Sequence, residues 1–190
     1  MKHLAIFGVA LAALVSSSCN ATAAFDSADS GGDAPWPATG RGPTPYSAEQ
    51  IRDAYPSGTV SRMRIATESE SDGVVVQVTQ FVGSDAVGTT IREFFERDGE
   101  RVSTVSNQRV SWVQLREHAR FDAATTTRSV AAVTVPAGSY QCLLFEWRDP
   151  AHQDLVLRLY FAHGLAGPPV KMVVEEAVVQ HAFCNSTVNA

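Results

Sequence analysis

The sequence is poor in the residues that build metal and redox sites. Only 3 cysteines and 5 histidines occur among 190 residues, and the histidines of the domain are far apart in the chain. None of the spacings typical of zinc ligands is present. The chain also lacks a P-loop, a GxGxxG turn and a GxSxG nucleophile motif. We therefore expect no metal, no cofactor and no catalytic residues of a familiar kind.

Concentrated positive charge is also missing. The chain has 15 lysines and arginines against 20 acidic residues, for a net charge of −5. Its arginines are scattered rather than gathered into a stripe with aromatic residues between them. Because nucleic-acid binding depends on such a basic footprint, we expect no nucleic-acid partner.

Long hydrophobic runs are absent except at the N-terminus. The apolar run over residues 4–15 follows Lys2 and His3 and leads into the polar stretch SSSCNATA. A membrane span needs roughly 20 apolar residues, so this run is too short. The layout is that of a secretory signal over residues 1–23, which predicts export from the cytoplasm.

Two cleavage sites compete within this signal. In one interpretation Cys19 becomes the lipidated first residue of a bacterial lipoprotein, although Ser16 stands where the lipobox prefers Leu or Val. In the other, cleavage after the small residues ending at Ala23 discards Cys19. We favour lipidation. Asn20 lacks the aspartate that resembles an inner-membrane retention signal, so the prediction is an outer-membrane lipoprotein, with a periplasmic or secreted protein as the alternative.

Residues 24–45 are rich in Ala, Asp, Gly, Ser and Pro, and contain little that could be buried. Ordering such a segment costs entropy without a compensating gain, which predicts a disordered linker. Trp36 stands between two prolines. It is interpreted as an anchor of the linker on the domain, or alternatively as a short motif for a partner. Residues 46–190 then form a single β-rich domain.

Cysteine usage predicts one disulfide in this domain. With Cys19 assigned to the signal, Cys142 and Cys184 remain, and an oxidising compartment favours their pairing. Such a bond would stabilise the domain by roughly 4 kcal/mol in the chain-entropy model. A simple meander of strands does not bring the two residues together. We therefore expect the C-terminal tail to leave the sheet and cross one of its faces.

The pattern of the domain is mainly β. Alternating β-branched runs occur at residues 59–68 and 74–82, and Asp98-Gly99 predicts a hairpin turn, although the segment before it also fits a helix. Ser47 with Gln50 predicts a capped helix, and SWVQLREHARF a second one. The last four strands are predicted at 128–135, 139–147, 154–162 and 170–179. The fold class is α+β: a curled antiparallel sheet of about eight strands, a half-barrel or a sandwich, with two short helices.

Two motifs in the last strands resemble those of a family of uncharacterised periplasmic proteins. One is VPAG-x-[FY], matched by Val135, Pro136, Ala137, Gly138 and Tyr140; the other is [WY][YF]A-x-G-x-G-x-VK, matched by Tyr160, Phe161, Ala162, Gly164, Val170 and Lys171. The turn GLAGPP departs from that family by its inserted prolines. The family is related in fold to the half-barrel lipoprotein carriers LolA and LolB. The resemblance implies a half-barrel.

Few residues are candidates for chemistry or binding. His118, beside Glu117, is interpreted as a helix-surface residue, and Ser139 as a turn residue. Alternation places apolar side chains on one face of the last strands, where they form either core or a ligand-binding surface. The residues of this predicted apolar face are Leu143, Phe145, Trp147, Leu157, Leu159 and Phe161.

Three functions are consistent with these features. The first is a non-enzymatic envelope protein, lipid-anchored, that binds a protein or surface partner. The second is a carrier of a lipid or another apolar ligand in a half-barrel cavity. The third is a secreted hydrolase that uses His118 with an unidentified partner. Membrane association is expected only through the lipid anchor.

The lipid anchor can be tested by the Cys19→Ala variant. We expect this variant to lose its membrane association, because it has no thiol to carry the acyl chains. The measurement is fractionation of membranes from the producing bacterium. If cleavage instead follows Ala23, the unsubstituted protein is soluble and Cys19→Ala leaves its distribution unchanged.

Overall fold

The computed structural model of the protein describes residues 35–66, 74–152, 155–176 and 179–188, and of the last strand only the backbone. The described chain contains two helices, α1 (Ala48–Ala54) and α2 (Trp112–Glu117). It also contains ten strands: β1 (Val60–Ala66), β2 (Val75–Val82), β3 (Gly88–Arg97), β4 (Glu100–Arg101), β5 (Ser106–Ser111), β6 (Thr126–Val135), β7 (Gly138–Arg148), β8 (Val156–Ala162), β9 (Lys171–Glu176) and β10 (Val179–Val188).

All ten strands belong to one antiparallel sheet. Its order is β4-β3-β2-β1-β10-β9-β8-β7-β6, and β5 pairs with β3 alongside β4. The predicted mainly β fold with an antiparallel sheet and two short helices is confirmed. The sheet has ten strands rather than about eight, because the segment after Gly99 contributes two short strands and the C-terminal tail contributes another.

Both helices begin with a capping box. The Ser47 hydroxyl accepts a hydrogen bond from the Gln50 backbone N–H at 3.2 Å, and the Gln50 side chain accepts one from the Ser47 N–H at 2.8 Å. Ser111 and Gln114 repeat this arrangement at the start of α2. These bonds satisfy N–H groups that a helix leaves unpaired at its first turn. Neither helix is long and apolar enough to cross a membrane, nor is any other in the described part of the chain.

The predicted hairpin at Asp98-Gly99 is confirmed. Both residues have positive φ, 51° and 84°, which suits the tight turn between β3 and β4. The helical alternative for the segment before the turn is wrong. The whole segment belongs to β3, and strand pairing places Ile91 and Phe95 on one face of the sheet and Phe94 on the other.

The sheet curls around α1, and the side that faces the helix is called the inner face. Phe81 on β2 and Phe161 on β8 belong to the same core cluster. Four strand spacings separate β2 from β8, about 19 Å in a flat sheet at ~4.8 Å per strand. Tyr55 contacts Phe81 with ring centroids 4.3 Å apart, and Tyr46 lies 6.3 Å from Phe161. The two tyrosines that flank α1 therefore bridge strands that a flat sheet would keep apart.

Trp36 anchors the start of the described chain on the inner face. Its ring lies edge-on to Phe145 with centroids 5.6 Å apart, and its Nε1 donates a hydrogen bond of 3.1 Å to the Thr126 carbonyl. The guanidinium of Arg128 stands 5.7 Å from the ring centroid. The interpretation of Trp36 as an anchor is thus confirmed, and its apolar surface is used within the chain.

The C-terminal tail does not leave the sheet. β10 pairs with β9 from Val179↔Glu176 to Cys184↔Lys171, and on its other side with β1 from Ala66↔Ala182 to Val60↔Val188. The prediction that the tail crosses a face of the sheet is therefore wrong. Backbone hydrogen bonding to two neighbouring strands satisfies the N–H and C=O groups of the tail more completely than a crossing segment would.

The predicted disulfide between Cys142 and Cys184 is not formed, since Cys142 is a buried free thiol. The side chain of Cys184 lies outside the described residues, but the backbone register gives the physical reason. Cys184 is level with Leu144 and three strands away from it, roughly 14 Å at 4.8 Å per strand. A disulfide requires a Cα–Cα distance of about 4.4–6.8 Å.

Part of the outer face of β7 to β9 carries ion pairs, while another part belongs to a second buried apolar cluster that includes Val133, Cys142 and Ala162. Arg158 donates to Glu146 at 2.8 Å and also pairs with Glu175, while Arg148 donates to Glu146 at 2.6 Å. The hydrogen bond from Arg158 is the main cause that holds the pKa of Glu146 below its ordinary value. Ion pairs of this kind are typical of the part of a sheet face that meets solvent.

The free thiol of Cys142 can be tested by chemical labelling. Cys142 is 0% exposed, and burial raises the pKa of its thiol, so we expect no labelling of the native protein. In denaturant without reductant, mass spectrometry should find the peptide with Cys142 fully labelled. A peptide that is labelled only after reduction would contradict the free thiol.

The ion pairs of Glu146 predict a pH dependence of stability. Because its pKa is lowered by folding, Glu146 stabilises the protein above the pKa of about 4.3 that an unfolded glutamate has, and this contribution is lost as the pH falls through the folded-state pKa. We expect Glu146→Gln to lower the free energy of unfolding at pH 7 by about 1 kcal/mol and to have a smaller effect in acid. Glu100→Gln on β4 is the control. Equal losses at both pH values would contradict the prediction.

Candidate functional site

The predicted apolar face is the inner face, and its central part is filled. Phe145 is 0% exposed, Phe161 4%, and Leu143 and Leu159 are each 7% exposed. They pack with residues of the helices and of the segment before α1, including Tyr46, Ile51 and Trp112. These four residues of the predicted ligand face therefore form core.

Tyr46 fixes the segment before α1 to the end of β8. Its hydroxyl donates a hydrogen bond to the Ala162 carbonyl, and its ring packs near Phe161. Burial is the main cause that raises the pKa of Tyr46 above its ordinary value, so the hydroxyl keeps its proton and remains a donor. This bond ties the helix to the sheet at one side of the curl.

The remaining part of the inner face is only half-buried. Trp147 and Leu157, the other two residues of the predicted ligand face, stand opposite each other on β7 and β8. Strand register adds further apolar residues of the same face on β1, β2, β3 and β9, all half-buried. This set is called the apolar strip: Met63, Ile65, Val75, Phe95, Trp147, Leu157 and Val174.

One cation lies at the end of the apolar strip on β3. Arg97 stands opposite Val75 in the register and two residues from Phe95, so its side chain shares the inner face. Its Nε is buried and has no hydrogen-bond acceptor among the residues described. Glu100 stands directly opposite Arg97 on β4 and shares this face, but it does not accept a hydrogen bond from the Arg97 Nε. Glu93, on the same face of β3, accepts hydrogen bonds from Gln77 at 3.0 Å and Thr79 at 3.2 Å.

A separate cleft opens beside α1. Its volume is about 390 Å³, within the size range of small-ligand sites. Leu143 and Phe161 lie at its apolar side together with Ala54 and Ala166, while Gln50, Asp53 and His163 supply polar groups. The cleft is thus bounded by α1, by β7 and β8, and by the turn after β8.

His118 and Ser139, the other candidate residues, lie apart from each other in the described structure. Partial desolvation lowers the pKa of His118, but no described side chain forms a hydrogen bond with its imidazole. The neighbouring Glu117 instead pairs with Arg116 and Arg120. The Ser139 hydroxyl bonds to that of Thr134 at 2.9 Å. No three His, Cys, Asp or Glu side chains in the described ranges could together hold a metal ion.

Sequence reasoning missed the β1–β3 half of the inner face and Arg97. A signal for it exists in the sequence. The turn at Asp98-Gly99 fixes the phase of β3, so Phe95 and Arg97 must share a face, and the alternation of Met63 and Ile65 on β1 continues it. What the sequence did not show is that this face joins that of β7 to β9, because the two halves meet only through β10.

Comparisons with known proteins add little. No family model matches the chain, and no curated protein matches it. A solved structure of a DUF1329 family protein from Desulfovibrio piger ATCC 29098 is similar over 73% of this chain and 88% of its own, with 10% sequence identity and a TM-score of 0.25. So low a score carries no argument about function. The relation to the LolA and LolB half-barrels, inferred from the VPAG motif, therefore stays a prediction.

Proposed function

We propose that the protein is a non-enzymatic binding protein of the bacterial cell envelope whose ligand is an amphipathic molecule with an acidic head group. The apolar strip takes the chain of the ligand, and Arg97 binds the head group. The observation that carries this proposal is the buried Nε of Arg97, which has no acceptor among the described residues and lies beside a half-buried apolar surface.

An unpaired donor in this position has an energetic cost. Leaving a buried polar group without a hydrogen bond costs about 1–3 kcal/mol, and most buried groups in proteins have a partner. A carboxylate or phosphate on the inner face would accept from the guanidinium in the bidentate geometry that arginine favours. The ligand would thus restore a hydrogen bond that the described chain does not supply to Arg97.

The apolar strip accounts for the chain of the ligand. Each methylene group moved from water to an apolar surface gains about 0.8 kcal/mol. Aromatic and aliphatic side chains line both sides of the strip, with Phe95 on β3 and Trp147 on β7. Since the centre of the inner face is filled by the residues around Phe145, the ligand would lie along the strip rather than inside a closed cavity.

The envelope location rests on the secretory signal predicted over residues 1–23, which lies outside the described residues. An exported protein with an apolar binding surface could hold an amphipathic molecule that is poorly soluble in water. Lipidation at Cys19 would place the domain beside the membrane that contains such molecules.

A protein partner is the second candidate, and the cleft beside α1 favours it. The cleft has a volume of about 390 Å³, an apolar side at Leu143 and Phe161, and several polar groups. These features suit one large side chain inserted by a partner. In that case Ala166→Trp, which fills the cleft, abolishes binding, whereas changes at Arg97 do not.

The proposed head-group contact is tested by Arg97→Met. We expect the unsubstituted protein to bind a long-chain fatty acid roughly 10-fold or more tightly than the corresponding fatty alcohol, because a hydrogen bond to a charged group is worth about 1.5–3 kcal/mol. Arg97→Met should abolish this preference while binding of the alcohol remains. Isothermal titration calorimetry of both probes is the measurement.

The matched control is Arg92→Met, which removes the same charge from the outer face of the same strand. It should leave the preference for the acid unchanged. Loss of the preference in both variants would indicate a general charge effect and contradict the proposal. The proposal is also contradicted if the unsubstituted protein binds acid and alcohol with equal affinity, or binds neither. A third contradicting result is an organic extract of the native protein that contains no acidic amphiphile.

A further inference from the structure

The two edges of the sheet differ in how they are protected. At one edge, β4 has two residues, Glu100 and Arg101, and the polar β5 carries Arg109 in an ion pair with Asp85. Short length and charge are the usual devices that prevent an edge from pairing with another chain. The other edge is β6, a strand of ten residues whose part from Ser129 to Val135 contains no charge, proline or glycine.

Three hydrogen bonds fix which backbone groups of β6 point away from the sheet. His163 N–H donates to the Gln141 carbonyl, so Gln141 faces β8 and its neighbours on β7 face β6. Arg148 N–H donates to the Thr125 carbonyl, which assigns the odd-numbered residues of β6 to the pairing with β7. The Thr126 carbonyl instead accepts from Trp36 on the open side. The backbone groups of Val130, Ala132 and Thr134 therefore point outward.

This outward row is accessible. Val130 is 66% exposed, and Ala132 and Thr134 are also exposed. Their outward N–H and C=O groups form no backbone hydrogen bond with any other residue that the structure describes. Trp36 closes the beginning of the edge at Thr126, so the free part is the second half of the strand.

We infer that this free edge pairs with the same edge of a second copy of the chain, so that the protein forms a symmetric dimer with a continuous sheet. In the antiparallel register centred on Ala132, Val130 of one copy faces Thr134 of the other, and Ala132 faces Ala132. The three outward residues of each copy then exchange all their N–H and C=O groups.

Two features favour a second copy over a foreign strand. In this register no charged residue faces another, and the side chains that meet are small or β-branched, which suits a cross-strand contact. The dimer also leaves only the edges formed by β4 and β5 at its two ends, and these are protected. An isologous pair of this kind closes on itself and does not grow into a fibre.

The dimer is tested by sedimentation equilibrium of the mature chain and of two lysine variants. We expect the unsubstituted protein to be dimeric and Ala132→Lys to be monomeric, because the two lysines would lie directly opposite each other. A lysine at an exposed edge position is well tolerated, so the circular dichroism spectrum should not change, and the melting temperature should fall only by the contribution of dimerisation. Asn107→Lys on the protected edge is the control and should remain dimeric.

Cysteine crosslinking checks the register in the same assay. Cα atoms of a directly opposed pair are about 5.5 Å apart, which suits a disulfide. Ala132→Cys should therefore form a covalent dimer on mild oxidation, whereas Asn107→Cys and the unsubstituted protein should not. The inference is overturned if the unsubstituted protein is monomeric, which includes the case in which the edge pairs with a foreign strand. It is also overturned if the dimer persists in Ala132→Lys, or if Asn107→Cys crosslinks equally well.

Discussion

The position of β10 between β1 and β9 is the constraint on which the rest of the structure depends. β10 forms a seven-residue register with β1 and a six-residue register with β9. Without it the chain would have two separate sheets, one from the strands before α2 and one from those after it. Their union makes the sheet wide enough to curl, and the curl brings Tyr55 at the end of α1 against β2 and Tyr46 just before α1 against β8. The pairing is also strongly non-local, which is typical of slowly folding β proteins.

The inner face shows how one pattern of apolar alternation has two physical outcomes. Under the helices, Phe145 and Phe161 are closed off by aromatic rings from Tyr46, Phe121 and Trp36, so the gain from burial is realised within the chain. Along the strip the same kind of residue stays half-buried. The difference lies in where the short helices are placed, since seven residues of α1 are too few to cover the whole width of the sheet.

The two faces of the sheet also differ in the pairing of their arginine side chains. On the outer face Arg158 has carboxylate partners in Glu146 and Glu175. On the inner face Arg97 has a buried Nε without an acceptor among the described residues. The described residues thus satisfy the guanidinium of Arg158 but not the Nε of Arg97. The proposed head group would supply this acceptor.

The sequence by itself determined the fold class and the capping box of α1, and it favoured the hairpin at Asp98-Gly99 and the anchoring role of Trp36 over their alternatives, because each depends on neighbouring residues or on alternation along one strand. It also gave the phase of β7 and β8, and hence the shared face of the predicted apolar residues. Only the tertiary structure decided that the tail pairs with β1, that Cys142 and Cys184 stand apart, and which part of the apolar face is core. Those outcomes depend on the order of strands in the sheet. Backbone hydrogen bonds between residues that are distant in the chain set this order, and such bonds leave no signature in the sequence.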